Sequence, residues 1–334
     1  MASKAKGYLS IVLKVAVAAA LITFMVKSGH LDPKELWSLM TPFNVVMALL
    51  LCGMNTLMAA WRWVLLLKAR GFDIGVGYGF SLSLIGMFFN HALPGAVGGD
   101  LVRGYYLVAD NRERKVDSVL SIVIDRVLGL YSFFLLSLIA VAFDFNFVMS
   151  HDKIRWVALL CFAIFTGMTV FFTIAFSERL SHKVGIRHLA SKIRALAHVL
   201  EAFHMFGKNR KTIAASVLVS IIGQIFTMIF FYQVAVISGE TDITWNAVLF
   251  AVPMGFVVTA VPIAPAGIGV GQVAFHYLFE TYLAKPTSFG TTAITAFQLA
   301  VVCWAVVGAF FYLRRKRPAE LNSMTSAMEA EASS

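Results

Sequence analysis

The sequence predicts an all-α polytopic membrane protein: six full spans and two re-entrant or broken-helix hairpins, arranged as an inverted repeat. Three observations point there. Of the 334 residues, 59% are hydrophobic and only 14% charged, whereas soluble domains carry about 25% charged residues. Several apolar runs reach the roughly 20 residues that a helix needs to cross about 30 Å of hydrocarbon. Two further apolar segments are broken by Pro and Gly and share one pattern, half a chain apart.

The elements follow in order. A first span near 8–26 is preceded by Lys4 and Lys6; no small-residue cleavage site follows before Lys27, so it reads as a retained anchor rather than a signal peptide. Asp32-Pro33-Lys34-Glu35 reads as the start of a surface helix, with Asp as cap and Pro at the first helical position. Full spans follow near 45–67, 119–143, 157–176, 212–237 and 291–313. Residues 181–206 form an amphipathic pattern, Leu189, Ile193, Leu196, Leu200 and Phe203 against Lys192, Arg194 and His198, suited to lying along anionic head groups. The polar tail 318–334 reads as disordered.

Two segments cannot cross. Tyr78 to Val108 is interrupted by His91-Ala92-Leu93-Pro94-Gly95 and Gly98-Gly99-Asp100, and Trp245 to Leu283 by Pro262, Pro265, Gly267, Gly269 and Gly271. The bilayer tolerates such breaks only where protein or a watery cavity covers the freed backbone. The hairpins align without gaps: Pro94/Pro265, Gly98/Gly269, Val102/Val273, Tyr106/Tyr277 and Leu107/Leu278 are identical pairs, all 171 residues apart. The same offset lays 45–67 over 212–237 and 119–143 over 291–313. The domain organisation is therefore one membrane domain, 1–317, with repeat A at about 8–143, repeat B at about 157–313 and a cytoplasmic linker at 177–211.

Basic residues set the orientation. Arg179, Lys183, Arg187, Lys192, Arg194, Lys208, Arg210 and Lys211 crowd one loop, and the last span stops at Arg314-Arg315-Lys316-Arg317; both regions are expected in the cytoplasm. Counting spans puts both termini inside and brings the two hairpins in from opposite sides, an inverted-topology repeat of the kind found in secondary transporters. The expected location is the cell inner membrane of a bacterium. The net charge of +10 is explained by these loops and not by nucleic acid. Cys52, Cys161 and Cys303 lie far apart in apolar runs, without the spacing of a disulfide or metal site; no metal or cofactor is expected.

The chemistry is expected at the hairpins. A helix starting at mid-membrane presents unpaired amides and the positive end of its dipole, and glycine lets a ligand approach. Gly98-Gly99 opens a limb with Asp100 and Arg103; Gly267 to Gly271 opens one with Gln272 and His276. Two such ends would suit an anion such as a lipid phosphate, with Arg103 adding a bidentate contact. Asp100 and Arg103, one turn apart, also suit a structural ion pair closing the hairpin. Asp125 and Arg126 are placed one turn into the third span, Arg62 is read as snorkelling to the inner interface, and Asn90 and His91 either cap the broken helix or touch substrate. Gln224, Gln298 and Glu280 are expected to join spans.

These motifs resemble the lysylphosphatidylglycerol synthase transmembrane, or flippase-like, family: Asn90 with Leu93-Pro94 and Gly98-Gly99-Asp100 plus Arg103, then Asp125-Arg126 with Gly129-Leu130, then Pro262, Pro265 and Gly267-Ile-Gly-Val with Gln272. The resemblance covers roughly 8–313. It implies movement of lipid between leaflets, with an anionic phospholipid or an isoprenoid-linked lipid such as a polyprenyl phosphate as partner. The substrate-binding set is then Asn90, Pro94, Gly98, Gly99, Asp100, Arg103, Arg126, Pro265, Gly267, Gly269 and Gln272. The sequence departs from the family pattern at Gln272 and Asp125, where Glu is usual, and no aminoacyl-transfer domain follows the last span, so synthesis of the aminoacylated lipid is not expected. A homodimer is left open. An enzyme is not expected, since no nucleotide-binding loop, acidic metal motif or activated nucleophile is apparent; a membrane glycosyl- or acyl-transferase and a carrier of a small soluble anion are the competing readings.

Overall fold

The computed structural model describes residues 37, 39–92, 98–177, 203, 207, 209–259 and 268–315. The first span near 8–26, the helix start at Asp32, the tail 318–334 and linker residues 178–208 apart from Phe203 and Gly207 lie outside them, as do Pro94, Pro262, Pro265 and Gly267.

Among the described residues every regular element is helical. The order is α1 (Pro42–Ala69), α2 (Val76–Ala92), α3 (Gly98–Asp110), a 3₁₀ turn (Arg112–Arg114), α4 (Lys115–Phe143), a short α5 (Phe145–Ser150), α6 (Asp152–Phe176), α7 (Arg210–Ile237), α8 (Trp245–Thr259), α9 (Val270–Leu283) and α10 (Phe289–Arg314). Five of these helices are long and apolar enough to cross a membrane, and each contains one of the spans expected from sequence. α1 starts at Pro42 with Thr41 as its cap, the Thr41 hydroxyl accepting from the Asn44 amide. Aliphatic and aromatic side chains such as Phe43, Leu50, Trp156, Leu160, Phe162, Val306 and Phe310 stay exposed on the outer faces, which in water would be costly and in lipid is not.

The other four helices are half-length. α2 and α3 have 17 and 13 residues, and α8 and α9 have 15 and 14. At 1.5 Å per residue each reaches only about 20–26 Å, short of the hydrocarbon thickness. α2 packs on α3, and α8 on α9, giving two hairpins whose open ends lie at opposite ends of the bundle. The first opens beside the start of α4, where Asp110 at the end of α3 meets Tyr78 and Arg315. The second opens beside the end of α4, where Tyr282 of α9 donates to Asp144 Oδ2 at 2.9 Å. The first end also carries Arg70, paired with Asp117, and Arg114, which donates to the Arg70 carbonyl; it is called the basic end below. The opposite end, where Asp144, Asp152, Glu240 and Asp242 cluster, is the acidic end.

The packing repeats with the sequence. Exchanging α1, α2, α3 and α4 for α7, α8, α9 and α10 converts the α2–α10 contact into α8–α4, α3–α4 into α9–α10, α1–α2 into α7–α8, and α1–α10 into α7–α4, all of which are present. The α1–α7 contact, the most extensive in the molecule, maps onto itself. These two helices run antiparallel: Leu51 lies with Phe230 toward the acidic end, Met58 with Gly223 in the middle, and Arg62 with Ser220 toward the basic end. Antiparallel alignment of equivalent helices is what inverted copies require. Even the clamps on the hairpins correspond. Asp110–Arg315 and Tyr282–Asp144 join the second limb of each hairpin to the last helix of the other repeat, and Arg315 stands 171 positions after Asp144.

Close backbone approaches let the half-helices seat. A Cβ on Gly308 of α10 would lie 2.0 Å from the Leu84 carbonyl oxygen of α2, so only glycine fits without moving one helix. Gly308→Ala is expected to lower stability by about 1–3 kcal/mol, as overpacking of a tight contact does, seen as a reduced thermal midpoint of the purified protein in detergent; an unchanged midpoint would mean that α2 and α10 separate freely.

Candidate functional site

Helices of both hairpins border a cavity of about 500 Å³. Its walls come from α1 (Asn55, Arg62), α2 (Ser83, Gly86, Asn90, His91), α3 (Asp100, Arg103), α4 (Asp125, Arg126, Phe133), α7 (Ser220, Gln224), α8 (Phe256, Thr259) and α10 (Phe297, Gln298). It is a join of both repeats, polar on the side of the first hairpin and aromatic on the side of the second.

The polar side is a chain of alternating charges. Arg62 donates through Nε to Asp125 Oδ1 at 2.7 Å and through Nη1 to Ser220 Oγ at 3.0 Å. Asp125 Oδ2 lies 3.6 Å from Arg103 Nη2, and Arg103 Nη1 lies 3.5 Å from Asp100 Oδ1. Arg126 donates through Nε to Asp100 Oδ2. The Arg103 guanidinium lies 4.1 Å over the Trp63 ring, and Trp63, fully buried, donates its indole N–H to Ser121 Oγ at 3.1 Å. Ion pairs at this depth are needed because an isolated charge cannot be left in a medium of low polarity.

Two expectations are corrected. Arg62 does not snorkel: its side chain is 12% exposed and turned inward onto Asp125. α4 starts at Lys115, so Asp125 sits not one turn but roughly 15 Å along the helix at 1.5 Å per residue, near mid-depth. Asp100 and Arg103 do pair, at 3.5 Å, and each has a further partner on α4.

The two limb starts differ from the expectation as well. The Gly99 amide donates to Asn90 Oδ1 at 2.8 Å, so Asn90 caps α3 from across the hairpin. A Cβ on Gly99 would lie 2.0 Å from the Gly86 carbonyl oxygen, and this is why the limb opens on glycine. Gly269, with φ of 85°, donates its amide to Gln272 Oε1 at 2.7 Å, while Gln272 Nε2 donates to Gln298 Oε1 at 2.7 Å and Thr295 Oγ1 at 3.1 Å. Each start therefore has one amide already satisfied by a side chain, and the cationic character of the cavity rests on arginines. Gln298 does join helices; Glu280 instead meets His276 one turn away on its own helix, and Gln224 Oε1 is buried without a hydrogen-bond partner among the described residues.

Sequence reasoning missed Ser220 and Asn55 as cavity residues and Trp63 as the ring beneath Arg103, and underrated Arg62. The signal for Arg62 was available: an arginine seven residues inside a span has an acidic partner or an exit to water, and Asp125 offered the former. At an offset of 171, Arg62, Asp100, Arg103, Asp125 and Arg126 correspond to Gln233, Gly271, Ala274, Ala296 and Phe297. The charges belong to one repeat alone. In the other, Phe231, Phe256, Phe275 and Phe297 pack ring on ring, with centroids 5.0–6.1 Å apart.

Comparisons with known proteins follow this geometry. The family model described as "Lysylphosphatidylglycerol synthase TM region" matches residues 11–308. A "UPF0104 membrane protein" of Methanothermobacter thermautotrophicus is 23% identical over 323 residues, covering 91% of this chain and 93% of that one. No solved structure matches.

The buried pair gives a test of how the charges are held. Asp125→Ala is expected to cost about 3–5 kcal/mol, because it strands Arg62, whereas the paired change Arg62→Met with Asp125→Leu should cost far less. Denaturation of both variants in detergent checks this; equal losses would show that Arg62 and Asp125 do not depend on each other.

Proposed function

The chain belongs to the lysylphosphatidylglycerol synthase transmembrane-region family, and from that premise we propose that it moves an anionic lipid between the two leaflets of a cell inner membrane, with the basic end in the cytoplasm. The observation that carries this reading is an arginine-lined cavity at mid-depth, built jointly by two opposed half-helix hairpins. Arginines converge there where no soluble counter-ion is at hand, and a phosphate head group supplies what they lack. The inverted arrangement offers the cavity equivalent routes to either side. The hairpins act as re-entrant segments, and the acyl chains stay in lipid outside the bundle.

Transport is favoured over group transfer by the state of the carboxylates. Asp100 and Asp125 are each held by two guanidinium groups, which occupies their oxygens, a poor arrangement for general acid or base chemistry. The partners are membrane lipids, and no cofactor enters the scheme.

Reconstitution tests the reading. Purified protein in vesicles with fluorescent anionic phospholipid should equilibrate the label between leaflets. Arg103→Lys keeps the charge but loses the forked donor geometry, and should slow equilibration at least tenfold while the protein elutes and melts as wild type. Wild-type rates in a folded Arg103→Lys protein, or no equilibration by the wild type, would sink the proposal.

A further inference from the structure

We propose that the contacts at the two hairpin mouths are the opposing locks of the carrier: Asp110 with Arg315 shuts the route from the cavity to the basic end, Tyr282 with Asp144 shuts the route to the acidic end, and one is released at a time. The proposal deepens the transport reading above and rests on it for the need to reach both sides.

The locks are built to one plan. Asp144 caps the end of α4 and Arg315 the end of α10, so each lock uses the residue that finishes the last helix of one repeat. That residue meets the end of the second limb of the other repeat's hairpin, Asp110 on α3 or Tyr282 on α9. The first limb completes the group: Tyr78 of α2 donates to Asp110 Oδ2 at 2.5 Å, and the Phe250 ring of α8 lies 5.4 Å from that of Tyr282. Chemistry differs between the copies, an arginine standing where the other has an aspartate, yet the same three elements are joined.

Buried layers connect the locks to the cavity. The Arg315 guanidinium lies 4.7 Å over the Tyr106 ring, and Tyr106 is buried in one cluster with Leu67, Leu82, Ile85 and Leu107. The cavity's α10 wall ends at Val301, about 20 Å short of Arg315 at 1.5 Å per residue, and this cluster fills the first hairpin along that stretch. On the other side the Tyr282 ring packs on Phe147 at 4.7 Å and on Phe250, and Phe250, Phe279 and Phe289 are fully buried around it. There the cavity's α4 wall ends at Phe133, roughly 16 Å short of Asp144. A polar head group passes neither layer until the hairpin leans away, because burying it unpaired among these side chains is costly.

Both locks are engaged in the structure, and both are weak enough to open. The Asp110 and Arg315 side chains keep 39% and 20% of their exposure, and partly exposed ion pairs contribute little singly. The second lock joins its hairpin to α4 through one hydroxyl donor at 2.9 Å. Exchange of the repeats carries one lock onto the other, so a form open at the basic end has an inverted counterpart open at the acidic end, as alternating access requires. Releasing both together would leave a continuous leak through the cavity.

The test reads access to the cavity. In the full chain with Cys52, Cys161 and Cys303 replaced by Ala, the change Ala59→Cys puts a single thiol in the cavity wall, and a membrane-impermeant maleimide is added to one face or the other of sealed vesicles holding the protein in one orientation. Asp110→Asn should raise the labelling rate roughly fivefold or more from the basic end and lower it from the acidic end, and Tyr282→Phe should do the reverse. Unchanged labelling in either folded variant, or a rise from both ends, overturns the proposal. Should Asp110→Asn fail to fold, Arg315→Gln breaks the same lock from its other side and is read in the same way. Labelling needs no cargo, which separates the two readings. The expected pattern in a protein that does not equilibrate fluorescent anionic phospholipid upholds the locks and defeats the lipid reading, whereas equilibration with unmoved labelling does the opposite.

Discussion

The alternating chain Arg62, Asp125, Arg103, Asp100, Arg126 is the interaction on which the interior depends. It places five ionisable groups in a bundle whose outer surface is apolar, and it draws them from α1, α3 and α4, so that a half-helix with little buried area of its own is tied to two full-length ones. Desolvating such groups costs several kcal/mol each unless they are paired. Their pairing, with Trp63 beneath Arg103, therefore fixes where the first hairpin sits and where the cavity opens.

Much of the architecture was legible in the sequence, because the signals were periodic or long. Apolar runs bounded by charge located five of the described helices, and Pro94, Gly98 and their counterparts at Pro265 and Gly269 exposed both the breaks and the duplication. The structure supplies the antiparallel α1–α7 pairing that makes the copies inverted. The site was legible in part. Asn90, Asp100, Arg103 and Arg126 were singled out and do share a wall, but the contacts that complete the site join distant parts of the chain, 63 residues apart for Arg62 and Asp125 and 158 for Arg62 and Ser220. No spacing rule encodes such a contact. A capping role for Asn90 was one of two sequence readings, but its target, the Gly99 amide across the hairpin, and the capping of Gly269 by Gln272 were hidden: they depend on side chains folding back over glycine amides, a local geometry with several sequence solutions.

The two repeats have kept their backbone and parted in content. One hairpin is seated by ion pairs, the other by a phenylalanine cluster that includes Phe297 at the position of Arg126. Both solutions satisfy the same demand, that a broken helix be held by protein rather than lipid. They differ in what they offer a ligand. The ionic copy presents donors; the aromatic copy presents a wall that excludes water and strengthens the electrostatics opposite. A smaller apolar cavity of about 190 Å³, lined by Leu51, Phe230, Gln233, Ala296 and Cys303 among others, lies toward the acidic end, where the second repeat holds its counterparts of Arg62 and Asp125. The same fold thus carries a polar and an oily version of one location.

The α1–α7 pair differs from every other contact in the bundle. The other contacts among the helices of the two repeats each have a partner under exchange, those of α5 and α6 have no counterpart among the described residues, and this one returns to itself. If the halves swap shapes, the surfaces between Leu51 and Phe230, Met58 and Gly223, and Arg62 and Ser220 are the ones that such a swap leaves in register. The pair has the geometry of an axle, and the small residues at its centre, Gly223 and Ser220, let the two helices lie close enough to serve as one.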